Sequence, residues 1–122
     1  MDIKHKKLLV YTVSVDFVEE CYKISKLLPA DEKFNLVSQL RRAALSVSMN
    51  IAEGASRTTN KERKRFYEVA RGSLVETDTA LTVCVRLKYL KVEELSKLLN
   101  LMNHEFSMLS KMISTLSKQS SS

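Results

Sequence analysis

Residues 92–116 read V-E-E-L-S-K-L-L-N-L-M-N-H-E-F-S-M-L-S-K-M-I-S-T-L. Leu95, Met102, Leu109 and Leu116 recur every seven residues, and Leu98, Phe106 and Ile113 fill the same stripe. Apolar residues at this spacing fall on one side of an α-helix, whereas a strand would alternate every second residue. No glycine or proline interrupts the run, so the spacing predicts one long helix with a single buried face.

Working outward, the same period appears three more times. A first helix is predicted from about Leu8 to Leu28, stopped by Pro29, with Asp31 placed to cap the next helix. Its charged residues Asp16, Glu19, Glu20, Lys23 and Lys26 share about a third of a wheel drawn at about 100° per residue. The remaining apolar arc of Val13, Phe17, Val18, Cys21, Tyr22, Ile24 and Leu28 is wide enough to pack on two sides. A second helix, from about Glu32 to Glu53, carries Val37, Leu40, Ala44, Val47 and Ile51 as a core seam, with Gly54 as its stop. Away from that seam lies a smaller apolar patch of Leu45, Met49 and Ala52. A third helix, from about Lys61 to Leu87 with Thr59 or Asn60 as cap, bears the small residues Ala70, Gly72, Ser73, Thr77 and Ala80, where a neighbour can approach closely. Four helices with short connections predict an all-α fold, an antiparallel up-down-up-down four-helix bundle over residues 8–117. Residues 1–7 read as a flexible basic arm and 118–122 as a disordered tail.

The chain has 122 residues, of which 44% are hydrophobic, enough for one core. Two glycines and one proline are too few for the tight turns of a β protein. The run Leu8 to Val15 is broken by Asp16, Glu19 and Glu20 before it can serve for export, and no stretch is long enough to span a membrane. A cytoplasmic location is expected. Cys21 and Cys84 sit among apolar residues at helical spacing and read as buried thiols. Twenty basic residues against fourteen acidic give a formal charge of +6, which favours polyanionic partners.

The segments Q-L-R-R-A-A-L-S-V-S-M-N-I-A-E-G-A-S-R at residues 39–57 and F-Y-E-V-A-R-G-S-L-V-E-T at residues 66–77 closely resemble the bacterial four-helix bundle family encoded in intervening sequences of 23S ribosomal RNA genes. The resemblance spans nearly the whole chain. Its most specific parts are Asn50 to Gly54 and the group Gly72, Ser73, Leu74 and Glu76. Leu9-Val10-Tyr11 also fits, with tyrosine where the family usually has tryptophan. The resemblance implies a four-helix bundle and a ring-shaped homopentamer. The family is in turn similar to the accessory variability proteins of diversity-generating retroelements, basic bundles that engage nucleic acid and a reverse transcriptase.

Two groups of residues stand out as candidate sites. Arg57, Lys61, Lys64, Arg65 and Arg71 belong to the densest basic stretch, a candidate phosphate-binding cluster to which Lys4, His5, Lys6 and Lys7 add a mobile arm. Gln39, Arg42, Ser46, Asn50 and Glu53 follow one another at spacings of three and four, either as a solvated face or as a polar seam at a subunit contact. Glu76, at the flank of the apolar face, is expected to be partly buried and to pair with Arg41, Arg42 or Asn50. Arg42, Asn50, Glu53 and Glu76 are thus the structural polar seam.

No catalytic, cofactor or metal site is expected. Neither His5 nor His104 follows a glutamate by three, as a di-iron bundle requires, and there is no glycine-rich phosphate loop or zinc-spaced set. The chain therefore reads as a non-enzymatic oligomer that binds RNA or DNA with low sequence specificity. The alternative is an oligomeric scaffold that recruits a protein partner without touching nucleic acid.

Overall fold

In a computed structural model, residues 8–119 are described. The basic arm at 1–7 and the last three residues lie outside that range. Four α-helices form: α1 (Leu9–Ser25), α2 (Leu36–Ala55), α3 (Asn60–Arg86) and α4 (Ser96–Gln119), with short 3-10 turns at Ala30–Glu32 and Val92–Leu95. There is no strand among the described residues. Each helix packs on the next and α4 returns against α1, closing a four-helix bundle. The pairings Ser14 with Ser48 and Ser25 with Arg41 run α1 and α2 antiparallel. Ser46 with Ser73 and Gly54 beside Tyr67 do the same for α2 and α3.

The core is built from the positions that the helical period selects. Phe17, Leu40, Ala44, Val47, Ile51, Ala70, Cys84, Leu98 and Leu109 are completely buried. Phe17 alone, cut to alanine, would forfeit about 3–5 kcal/mol. Both cysteines are free and buried, and burial pushes the Cys21 thiol up to about 12.

Besides the start of α4, which falls at Ser96 because Val92–Leu95 form a 3-10 turn, the helix ends differ from expectation in four places. First, α1 stops at Ser25 rather than Leu28, because Pro29 disfavours helical backbone before it. The final turn tightens instead into bonds three residues back, from Lys26, Leu27 and Leu28 to Lys23, Ile24 and Ser25. Second, Asp31 sits within a 3-10 turn, and α2 begins only at Leu36, after Asn35. Third, Gly54 lies inside α2 without a left-handed backbone, so its value is not as a stop. A β-carbon there would meet the Tyr67 ring at 2.7 Å, and the missing side chain is what lets α2 and α3 close on each other. Fourth, α4 continues through Lys118 to Gln119. Thr59 does cap α3: its hydroxyl accepts from the Glu62 amide at 3.2 Å and donates to the Glu62 carboxylate.

One further departure lies within α4. Phe106 is 41% exposed, whereas Glu105 is completely buried. The stripe continues from Leu98 by seven to Glu105, so a carboxylic acid fills a core position and the phenylalanine beside it turns to the α3 edge. The groups at Gly72 also part from expectation. Among the described residues, no atom outside its own turn of helix lies within 4 Å of a β-carbon built on Gly72, so none of them packs closely there.

Candidate nucleic-acid interface

The turn between α2 and α3, the first turns of α3 and the last turns of α4 meet at one end of the bundle, because antiparallel neighbours bring those termini together. This places Arg57, Lys61, Arg63, Lys64, Arg65, Lys111 and Lys118 at the same end. Against them stand Glu53, Glu62 and Glu68. Lys111, which the sequence did not single out, lines a shallow groove of about 300 Å3 with Arg63, Tyr67, Met112 and Leu116. It joins the cluster only because α4 packs against the start of α3.

The five residues singled out do not form one uniform patch. Arg57 and Arg65 cover Phe66, at 4.9 and 4.6 Å from the ring centroid. Arg57 is also bound to Glu53 at 2.7 Å, so part of its charge is already answered. At about 100° per residue, Lys64 and Arg71 fall toward the other flank of α3, on the side of α4. Arg71 donates to the Ser110 hydroxyl at 3.2 Å and lies over Phe106. Lys61 faces outward between the two subsets and is exposed. The arrangement presents guanidinium and ammonium groups around a rim rather than in a pocket, a geometry suited to phosphates spaced along a strand.

Aromatic groups for base stacking are scarce here. Tyr67 is buried against Gly54, and burial raises its hydroxyl above the usual phenol range while Arg63 pulls the other way. Phe66 is already covered by Arg57 and Arg65. The Arg57–Phe66–Arg65 stack escaped the sequence reading because it needs a residue from the turn to fold back over the helix.

The polar seam forms in part. Asn50 donates to the Ser46 carbonyl at 2.8 Å and to its hydroxyl at 3.0 Å, and Ser46 pairs with Ser73 of α3 at 2.8 Å. Gln39 and Arg42 are exposed. Glu53 turns to Arg57 instead of the seam. Glu76 is exposed rather than partly buried, because among the described residues no other helix covers the flank of α3 it occupies. Arg41 cannot reach it, lying on the α1 side, where its Nε donates to Ser25 at 2.9 Å and its guanidinium covers the Tyr22 ring.

Two uncovered apolar surfaces stand out among the described residues. One is a groove between α1 and α2 lined by Tyr11, Val15, Val18, Leu45, Met49 and Ala52, with Met49 61% exposed. The other runs along α3 through Val69, Val83 and Leu87, past Gly72 and Glu76. Among the described residues there is no group of three His, Cys, Asp or Glu side chains able to hold a metal ion. Among the same residues no helix is long and apolar enough to cross a membrane.

The fold and surface define a class first: a small four-helix bundle with a basic end and two bare apolar flanks. The profile of the 23S rRNA-intervening sequence proteins matches residues 6–111, and the chain belongs to that family. The structure is similar to a crystal structure from Bacteroides thetaiotaomicron, described as a protein of unknown function from the S23 ribosomal protein family. The two chains are 22% identical with a TM-score of 0.79, and the match covers 86% of this chain and 98% of that one. At that identity the likeness shows the fold alone. A comparison with curated proteins found no match.

Proposed function

We propose that this chain acts by binding rather than by chemistry, as a homo-oligomer that holds RNA or DNA through phosphate contacts with low sequence preference. The observation that carries this reading is the convergence of Arg57, Lys61, Lys64, Arg65, Lys111 and Arg71 on and beside one end of the bundle. Repeating that end around an assembly multiplies its field. The shortage of free aromatic side chains there argues against base readout and for backbone contacts.

Oligomerisation is supported by the two bare apolar flanks. Because they lie on different sides of the bundle, one flank of each copy can meet the other flank of the next, and such head-to-tail contacts close into rings. The homopentamer suggested by the family resemblance is of this kind, and the kinship with retroelement accessory proteins points the same way. A cytoplasmic setting belongs to the same proposal.

The test is titration of labelled single-stranded and duplex oligonucleotides across salt. With about six phosphates neutralised, raising salt from about 50 to about 200 mM should weaken binding roughly a thousandfold. Replacing Lys64 and Arg71 by alanine should flatten the slope. Absence of binding at the lower salt would favour the second reading, a scaffold that recruits a protein partner, for which the α1–α2 groove is the specific support.

A further inference from the structure

Glu105 occupies a core position of α4 between Met102 and Leu109 and has no solvent exposure. Neither carboxyl oxygen has a hydrogen-bond partner. An ionised carboxylate in that setting would be both desolvated and uncompensated, which is far costlier than burying the neutral acid. The helices packed against α4 offer nothing to offset it. Buried titratable groups there are Cys21 of α1 and Tyr67 and Cys84 of α3, all of them neutral acids whose own ionisation burial opposes. The 3-10 turn before α4 buries only Leu95, and α2 buries no titratable side chain. The charged groups at the edges of the α4 packing are engaged elsewhere or exposed: Glu20 of α1 pairs with Lys97, Arg71 of α3 with Ser110 and Phe106, Arg63 of α3 donates to Asn60, and Arg86 of α3 is exposed beside Leu95 and Leu99. Asp78 of α3 is exposed beside the α3–α4 grooves.

We propose that Glu105 is a proton latch: the bundle closes with this carboxyl protonated, takes up one proton on folding near neutral pH, and loosens its core when that proton is lost. The latch acts on the core of each subunit and is independent of the nucleic-acid reading.

Burial alone moves the Glu105 carboxyl from an ordinary 4.5 up to about 8. Its affinity for the proton is thus higher in the folded than in the unfolded chain. Between those two values the folded state holds a proton that the unfolded state has released, so stability is fully present below the lower value and is lost as pH rises through the upper one. The other buried titratable groups among the described residues, Cys21, Tyr67 and Cys84, are all pushed above ordinary values that already lie higher than this window.

The experiment is denaturant unfolding of the whole chain from about pH 5 to about pH 9, for wild type and Glu105→Gln. In the wild type the unfolding constant should rise by up to about tenfold per pH unit and level off above the upper value. Glu105→Gln, whose amide has the same shape and no ionisation, should flatten the profile over that window. Should the amide variant fail to fold, Glu105→Leu serves the same purpose. Carbon-13 spectra of labelled glutamate in the folded wild type should show one carboxyl still protonated at about pH 6, where the unfolded chain has none. Parallel profiles for wild type and variant, or an ionised Glu105 at that pH, would overturn the proposal.

Discussion

Replacing Gly54 by alanine tests whether the contact between α2 and α3 is set by the absence of one methyl group. In an open helix the change should stabilise by about 1 kcal/mol, since glycine is the poorer helix former. Here the new β-carbon would lie 2.7 Å from Cε1 and 3.0 Å from Cδ1 of Tyr67, and 3.1 Å from Cβ of Phe66. The first of these is closer than real β-carbons come, and the ring cannot swing away because Tyr67 is 4% exposed. Phe66 is held as well, with Arg57 and Arg65 packed over its ring. Relief requires the helices to part, and overpacking of this kind costs about 1–3 kcal/mol, toward the upper part of that range where nothing yields. Set against the propensity gain, the net expectation is a loss of about 1–2 kcal/mol, or a fall in Tm of roughly 3–10 °C for a chain of this size. Gly72→Ala is the matched control, since no neighbour stands within 4 Å of its β-carbon. It should gain about 0.5–1 kcal/mol. Thermal melts at one fixed concentration, with the mass in solution checked for each variant, decide the matter. An unchanged or higher Tm for Gly54→Ala would refute the packing argument. A concentration-dependent loss for Gly72→Ala would instead locate that glycine beneath another subunit.

Lys88 holds a left-handed backbone, φ 65°, just past the end of α3, so Lys88→Gly should stabilise by about 0.5–1 kcal/mol in denaturant titration. Thr59→Ala should lose about 1 kcal/mol by the same assay, because the Glu62 amide loses its cap. Cys21, its thiol pushed up to about 12, should resist alkylating reagents in the folded chain at mildly alkaline pH and react only at the rate of unfolding, as mass spectrometry of timed samples will show. Met49→Asp and Leu45→Asp together, in the bare α1–α2 groove, should reduce the mass in solution while leaving helix content unchanged, as light scattering and circular dichroism would report.

The four helices and most of their buried faces were legible in the sequence because burial in a helix repeats every three to four residues whatever the neighbours are. Leu40, Ala44, Val47 and Ile51, or Leu95, Met102 and Leu109, declare their face through spacing alone. The basic composition of the candidate interface was equally plain, as was a cap at Thr59 or Asn60, a local matter in which the structure uses Thr59. What the tertiary structure decided depends on residues distant in the chain. Glu105 is buried because α4 packs against both α1 and α3, and an acidic side chain gives no hydrophobic signal of that. Glu76 is exposed for the converse reason, since the flank of α3 it occupies receives no neighbour among the described residues. Gly54 reads locally as a helix stop and acts as a close contact only because Tyr67 arrives opposite it. The pairing of Arg57 and Arg65 across Phe66, and the arrival of Lys111 beside Arg63, likewise follow from how α2, α3 and α4 dock. Periodicity specifies which side of a helix is buried, whereas the depth of burial and the partners met there are properties of the packed bundle.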